Sequence, residues 1–187
     1  MLEFAILGLL HQSPMHGYEL RKRLNALLGT FRAFSYGSLY PTLRRMKAAG
    51  WIGEDASDDA GHGSRRGRVV YRLTAEGKER FGELLAEVGP ATTDDEQFGV
   101  HFAFFAQTDA EIRLRILEGR RRRVEEKRDG LRAALTRTRE RLDRYTLELQ
   151  EHGLEAVDRE VRWLSELIDT ERREQQDAQR PRNDPEN

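Results

Sequence analysis

The beginning of the chain contains a segment that has to be buried on every side. Residues Leu2–Leu10 are apolar except for Glu3, although 35% of the 187 residues are charged and 37% are hydrophobic. Nine residues are too few to cross a bilayer, which takes about 20, and no apolar run of 18 occurs anywhere else. We therefore expect a central helix that is covered by several other elements, and no membrane partner.

Two amphipathic helices are predicted to follow. Residues His16–Leu28 place apolar and charged side chains on opposite faces, and Gly29 closes this helix. A third helix runs from about Ser38 to Ala49 and stops at Gly50. Pro41 fits best in a first helical turn, so the start of the third helix is placed between residues 35 and 38.

Two strands and a fourth helix complete the first domain. A short strand at residues 51–53 precedes the loop 55–67, which is rich in Gly, Asp, Ser and Arg, and a second strand covers residues 68–73. Thr74 is a good N-cap for a helix over residues 75–88. Three helices, a strand, a loop, a strand and a helix predict a mainly α fold, an N-terminal winged helix-turn-helix with a two-stranded wing over residues 1–89.

The second half is predicted to be a helical dimerisation domain over residues 90–176, followed by a flexible tail over residues 177–187. An aromatic helix covers residues 94–106, and Thr108 with Glu111 forms a capping box that opens a helix to about Glu151. Gly153 then breaks the chain, which gives a long antiparallel helical hairpin. Its apolar seams could pair within one subunit or between two. The seam residues predicted for dimerisation are Leu131, Leu135, Leu142, Leu149, Val157, Val161, Leu164 and Ile168.

Charge distinguishes the two halves. Residues 1–80 hold 13 Lys and Arg against 8 Asp and Glu, whereas residues 81–187 hold 19 against 25. A basic N-terminal half favours a polyanionic partner, although such a split can also arise by chance in an Arg-rich chain. The run Arg120–Arg123 has many acids nearby and is expected to be a solvated face.

The third helix is the predicted reading element for double-stranded DNA. Leu39, Leu43 and Met46 share one side of it and should face the other helices. A helix fits the major groove, where guanine offers acceptors to arginine, but the same side chains could also form an ordinary solvated face. The residues predicted to contact DNA from this helix and the segment before it are Tyr36, Ser38, Tyr40, Pro41, Thr42, Arg44, Arg45 and Lys47.

The loop between the two strands supports the same interpretation. It places Arg65, Arg66 and Arg68 at the tip of a hairpin, and such a tip can lie along the DNA backbone or enter the minor groove. Counterion release would then make binding strongly salt-dependent. Because the basic tip and the basic helix occupy the two places that a winged helix presents to DNA, we favour DNA binding over a solubilising loop.

Several motifs together resemble the PadR family of bacterial transcriptional regulators. They are His16-Gly17-Tyr18-Glu19-Leu20, the stretch Gly37–Met46, Gly50-Trp51-Ile52, and Tyr71-Arg72-Leu73-Thr74-Ala75-Glu76-Gly77. The second half is loosely similar to the C-terminal helical region of the longer members, a subgroup related to virulence activators. The resemblance implies a homodimer, an operator with two half-sites, and usually repression. It also implies that Tyr18 supports the second helix and that Tyr40 lies at the DNA-facing rim of the third.

A small aromatic effector is a further hypothesis. Phe98, Phe102, Phe105 and Trp163 could line an aromatic pocket near the dimer axis, although rings at helical spacing are more often part of a core. A ligand there would act by favouring one separation of the two reading helices. The resemblance allows aromatic or drug-like inducers.

Other classes of protein are not favoured. The chain has no cysteine, and its five histidines lack metal-ligand spacing, so no metal site and no cofactor are expected. A phosphate-binding loop and a nucleophile elbow are both missing, which argues against an enzyme. The N-terminus does not resemble a signal peptide, and a cytoplasmic location is expected. The main alternative is a winged-helix adaptor that binds other proteins without specific DNA binding.

Overall fold

A computed structural model describes residues 1–28, 36–56, 69–95 and 97–179. These residues form two compact units, one from Met1–Glu87 with Asp95–Thr108, and one from Val88–Asp94 with the chain from Asp109 onward. The sequence places the domain boundary at residue 89, whereas the structure groups residues 95–108 with the first unit. The fold is mainly α with a small antiparallel sheet, as the sequence predicts.

The first unit contains five helices and three strands within its described residues. The helices are α1 (Leu2–Gln12), α2 (Gly17–Leu28), α3 (Tyr36–Ala48), α4 (Ala75–Ala86) and α5 (Phe98–Ala103). The strands are β1 (Met15–His16), β2 (Ile52–Ala56) and β3 (Val69–Leu73), in the order β1-β3-β2. The predicted hairpin is confirmed, since Ile52 pairs with Leu73 and Asp55 with Val70. Strand β1, which was not predicted, is only two residues long and pairs Met15 with Tyr71.

Helix α1 is the centre of the first unit, and the prediction that it is buried on all sides is confirmed. Every residue from Phe4 to Leu10 is buried, and α1 packs against α2, α3, α4 and β3. The remaining cover comes from α5 and the turn after it. The ring of Phe104 lies so close to Gly8 that a Cβ there would be 2.3 Å from it. Phe104 ends α5, so the predicted helix 94–106 is shorter and continues as a 3₁₀ turn at Phe105–Gln107.

The second unit is a pair of long antiparallel helices, α6 (Ala110–Thr138) and α7 (Arg144–Gln179). Ion pairs between Arg113 and Glu171 at 2.8 Å and between Arg139 and Glu151 at 3.0 Å set the antiparallel register. The apolar core of this unit consists of Ile116, Leu117, Val124, Val157, Val161, Leu164 and Ile168.

The predicted position of the hairpin turn is wrong. Gly153 lies inside α7, and the chain reverses through a 3₁₀ turn at Arg139–Arg141. A glycine costs a helix interior about 1 kcal/mol, which the packing of the apolar residues on either side can offset. The side chain of Asp143 accepts hydrogen bonds from the N–H groups of Tyr145 and Thr146 and starts α7 there. Part of the expected tail, residues 177–179, belongs to α7, and residues 180–187 lie outside the described residues.

The expected capping box is also wrong. The N-cap of α6 is Asp109, whose carboxylate accepts from the N–H of Glu111 at 2.8 Å. Thr108 is buried, and its hydroxyl donates to the carbonyl of Phe104 at 3.0 Å. Because the Thr108 hydroxyl bonds back to the preceding turn, the Asp109 carboxylate supplies the cap instead.

Candidate nucleic-acid interface

The buried side and the C-terminal end of α3 determine which of its side chains are exposed. Leu39, Leu43 and Met46 are each no more than 1% exposed, so this side of α3 is fixed against the core. At the C-terminal end, Gly50 has a φ of +77°. The N–H of Gly50 donates to the carbonyl of Lys47, and the N–H of Trp51 donates to the carbonyl of Met46. This Schellman motif ends the helix and needs a residue without a Cβ. Pro41 lies in the second turn, not the first, and costs α3 one early backbone hydrogen bond.

Most of the predicted α3 contacts lie on the exposed side. Tyr40 is 41% exposed, and the other members of this polar face are Ser38, Pro41, Arg44, Arg45 and Lys47. Tyr36 is the first residue of α3, and its side chain lies outside the described part. The wing arginines Arg65, Arg66 and Arg68 also lie outside the described residues.

Thr42 is a correction to the predicted contact set. It is 4% exposed, because its position on α3 falls beside the buried Leu39, Leu43 and Met46 and not on the outer face. Its hydroxyl donates to the carbonyl of Ser38 at 2.8 Å and accepts from Arg45 at 3.3 Å. Thr42 can therefore orient a neighbour, but it cannot reach a ligand.

The three cationic side chains of α3 differ in their partners. Arg45 forms an ion pair with Glu3 of α1 at 3.2 Å, and Lys47 forms one with Glu54 of β2. Arg44 is exposed and has no ion-pair or hydrogen-bond partner among the residues that the structure describes. Within α3, Arg44 is thus the side chain whose positive charge is least neutralised by the protein.

A groove of about 1030 Å³ lies beside α3. One wall is the exposed face of α2, the other is β3, and Tyr40 of α3 lies between them. The groove brings phenol, imidazole and ammonium groups together, all of which can donate hydrogen bonds to phosphate oxygens. Its lining is His16, Gly17, Tyr18, Glu19, Lys22, Arg23, Ala26, Tyr40, Val69 and Tyr71.

Sequence analysis missed the contribution of α2 to this groove. Tyr18, which the family resemblance implies supports α2, is 64% exposed, and Arg21 lies 5.7 Å from its ring centroid. Tyr18 and Lys22 are four residues apart and so share one face of α2. That spacing was visible in the sequence, but whether this face lies against α3 or in solvent depends on how β1 and β3 orient α2.

Tyr71 is the buried end of the groove. It is 8% exposed, and its burial, followed by the nearby negative charge of Glu54 and by Tyr40, raises its pKa above the usual 10.0. The phenol therefore stays neutral at physiological pH and can act as a hydrogen-bond donor. His16 is held at the same end by a hydrogen bond between its Nδ1 and the carbonyl of Val69 at 3.2 Å.

The aromatic residues predicted for an effector are distributed over both units. Phe98, Phe102 and Phe105 form a row in the first unit, with ring centroids 5.7 and 5.0 Å apart. Phe98 is buried, and the other two rings are half-buried. Trp163 belongs to α7 of the second unit and is 39% exposed.

The seam residues predicted for dimerisation fall into three groups. Val157, Val161, Leu164 and Ile168 are buried within a single chain, so this part of the seam pairs inside the hairpin. Leu131, Leu135 and Leu142 are half-buried, and Leu149 is 67% exposed. The predicted solvated face at Arg120–Arg123 is wrong for Arg120, which is 6% exposed and binds Glu160 at 2.6 Å and the carbonyl of Thr93 at 3.1 Å.

The described part of the chain lacks two further kinds of feature. No helix there combines the length and the apolar character needed to cross a membrane. Within the same residues, no group of three or more histidine, aspartate or glutamate side chains is arranged to hold a metal ion.

Comparison with known proteins adds independent information on the first unit. Residues 6–83 match the model of the transcriptional regulator PadR-like family. The negative transcriptional regulator PadR of Bacillus subtilis (strain 168) is 29% identical over 98 residues, which are 51% of this chain and 52% of the relative. The chain thus spans about half the length of this curated relative.

Solved structures also match. The crystal structure of Bacillus subtilis PadR in complex with operator DNA is 20% identical, with a TM-score of 0.45, and the match covers 91% of this chain and 98% of that one. The crystal structure of a PadR family transcription regulator from hypervirulent Clostridium difficile R20291 is 27% identical, with a TM-score of 0.37, over 44% of this chain and 81% of the other.

Proposed function

We propose that this chain is a transcriptional regulator of the PadR-like family, because residues 6–83 match that family's model, and that it binds DNA sequence-specifically as a homodimer on an operator with two half-sites. The family consists of regulators and not enzymes, in agreement with the sequence analysis. The observation that carries the proposal is the exposed side of α3, where Arg44 stands free of acidic partners among the described residues. The groove beside it offers Tyr18, Lys22 and Tyr40 to the DNA backbone.

The two surfaces have different tasks. Arg44 points outward from the middle of α3, where a helix in the major groove meets base edges. Tyr18 and Lys22 lie on α2, which crosses the backbone in helix-turn-helix complexes, so they bind phosphates without reading sequence. From the wing, we propose that the DNA backbone is bound by Arg65, Arg66 and Arg68. We propose that the wall of the DNA major groove is contacted by Tyr36, Ser38 and Pro41.

The test compares Arg44→Gln, Lys22→Gln and the wild type on duplexes from the region upstream of the encoding gene. We expect Arg44→Gln to lower affinity for the footprinted site roughly 5- to 150-fold and to relax preference at one or two base positions. Lys22→Gln should weaken binding to all duplexes and reduce the slope of log affinity against log salt by about 1.

Arg137→Gln is the matched control, because Arg137 is exposed on α6 and its loss changes net charge equally. The proposal is wrong if the wild type protects no site, or if Arg44→Gln and Arg137→Gln bind alike. Such a result would favour the adaptor alternative.

We propose that the second copy covers apolar side chains that the hairpin leaves exposed. Tyr145, Leu149 and Trp163 are 82%, 67% and 39% exposed and share one side of α7, away from the face that packs on α6. Large apolar side chains aligned in this way favour a partner surface. Leu149→Glu should yield a monomer by light scattering, and Gln150→Glu, one position away, should leave the dimer intact. Equal masses for both variants would contradict this surface.

Repression and a small aromatic effector complete the proposal. The similarity to a negative regulator supports repression. Phe102 and Phe105 are half-buried, so a planar ligand could stack on this row. The assay is release of bound duplex by a panel of small aromatic acids and amines. A compound that releases duplex from the wild type but not from Phe102→Leu would support the site, whereas equal release from both proteins would exclude it.

A further inference from the structure

In the first unit, a series of hydrogen bonds starts on α1 and runs along α3. The carboxylate of Glu3 accepts from Arg45 at 3.2 Å. Arg45 also donates to the hydroxyl of Thr42 at 3.3 Å, and this hydroxyl donates to the carbonyl of Ser38 at 2.8 Å. Ser38, Thr42 and Arg45, which the sequence suggested as separate contacts, are thus one connected unit ending at an acid of another helix.

Both ends of this series of hydrogen bonds are attached to packed parts of the first unit. Glu3 lies in the first turn of α1, and the following seven residues of that helix are all buried. Thr42 is 4% exposed, so its hydroxyl also has a fixed position. One nitrogen of Arg45, Nη2, donates to both Glu3 and Thr42. The Arg45 side chain is still 69% exposed. Its guanidinium carries five donors, so several of them remain available for another partner.

The ion pair itself contributes little to stability. Both side chains are more than a third exposed, and exposed pairs of this kind are worth about 0–1 kcal/mol. An unrestrained arginine samples many rotamers, and fixing it costs entropy when it binds. The consequence of the contact is therefore the orientation of the guanidinium.

We propose that Glu3 is a positioning residue for sequence reading, which holds the Arg45 guanidinium in the orientation that contacts a base edge. The inference rests on the proposed DNA-binding function. Glu3 also places a negative charge next to the approaching polyanion, so it lowers affinity for every duplex. The two effects oppose each other, because orientation of Arg45 strengthens the cognate complex alone, whereas the charge weakens all complexes.

Two substitutions of Glu3 separate these effects. Glu3→Gln removes the charge and weakens the hold on Arg45, so we expect binding to a scrambled duplex to tighten about threefold and the ratio of cognate to scrambled affinity to fall about tenfold. Glu3→Asp keeps the charge but shortens the reach by one methylene. It should lower the ratio about as much without tightening scrambled binding.

The control is Glu83→Gln, which removes the same charge from an ion pair with Arg80 on α4 and should change neither quantity. Arg45→Gln should lose the same discrimination, and Glu3→Gln added to it should cause no further loss in a double-mutant cycle. Thermal unfolding of each variant verifies that the first unit is folded.

The outcomes distinguish this inference from the proposed function. If the wild type discriminates, Arg44→Gln loses discrimination and Glu3→Gln keeps it, then Glu3 does not position Arg45 and the proposed function stands. An additive loss in the double variant would also overturn the coupling. If the wild type shows no preference for any duplex, the proposed function fails and this inference fails with it.

Discussion

Replacement of Gly8 by alanine should destabilise the first unit by about 2 kcal/mol. A Cβ at Gly8 would lie 2.3, 2.4 and 2.8 Å from three atoms of the Phe104 ring, whereas ordinary contacts begin near 3.4 Å. The ring cannot retreat easily, because it is 1% exposed and packs on Phe4 and Phe81 at centroid distances of 5.4 and 5.7 Å. Overpacking costs about 1–3 kcal/mol, and the better helix propensity of alanine returns about 1 kcal/mol of the upper value.

The assay is thermal unfolding followed by Trp51 fluorescence in a Trp163→Phe background, so that the signal reports on the first unit. A loss of 2 kcal/mol corresponds to a drop of roughly 8–16 °C for a unit of this size. Gly82→Ala is the control, since Gly82 is an exposed helical position with nothing within 4 Å, and it should gain about 0.5–1 kcal/mol. The prediction fails if Gly8→Ala leaves stability unchanged or raises it, or if Phe104→Leu does not restore the stability of Gly8→Ala.

Three further predictions concern caps and titrating groups. Thr74→Ala should cost about 1 kcal/mol, because Thr74 accepts from the N–H of Gly77 and caps α4; Thr74→Ser, measured in the same unfolding assay, should retain most of that stability. The folded-state pKa of Asp143 is lowered from 3.8 by hydrogen bonds from Thr146 and Tyr145, so its contribution is present above that value and is lost as pH falls. The free energy of unfolding, followed by Trp163 fluorescence, should therefore fall less steeply with decreasing pH in Asp143→Asn than in the wild type. The same dependence on acidic pH in both proteins would argue against the cap. Because its pKa is raised, the contribution of Tyr71 to the free energy of unfolding is complete below pH 10 and is lost as pH rises through the folded-state pKa. The pH midpoint of alkaline unfolding should therefore shift in Tyr71→Phe.

Local patterns predicted the first unit well, because its elements are encoded over short distances. The apolar run of α1, the Thr74 cap and the β-branched and aromatic residues of β3 each fix an element within a few residues. The two-residue strand β1 was missed because its pairing with β3 joins residues 54 and 56 positions apart. The burial of Thr42 escaped for a similar reason, since a hydroxyl at the edge of a helical face can point either way.

The hairpin was harder to predict because two local signals competed. Gly153 suggested a break, but a single glycine in a helix of 36 residues is outweighed by packing on both sides. Asp143 was the correct signal for the start of α7, because an acid followed three residues later by threonine can cap a helix. The segment just before it has no apolar periodicity. Of the two pairings that the sequence left open, the turn at residues 139–143 gives Val157, Val161 and Leu164 intramolecular partners. The seam residues on α6 and at the start of α7 stay a prediction for dimerisation.

The distribution of ion pairs on α3 argues that DNA binding by the proposed interface depends on the orientation of its side chains more than on total charge. The whole chain has a net charge of −1, so long-range attraction to DNA is weak and must come from the local basic surface. Two of the three α3 cations are neutralised by Glu3 and Glu54, which further reduces non-specific attraction. A protein that simply needed affinity for DNA would gain from losing these acids. Their presence fits a surface with low affinity for DNA in general. On such a surface, Arg44 and the restrained Arg45 contribute to binding mainly when the correct bases are in place.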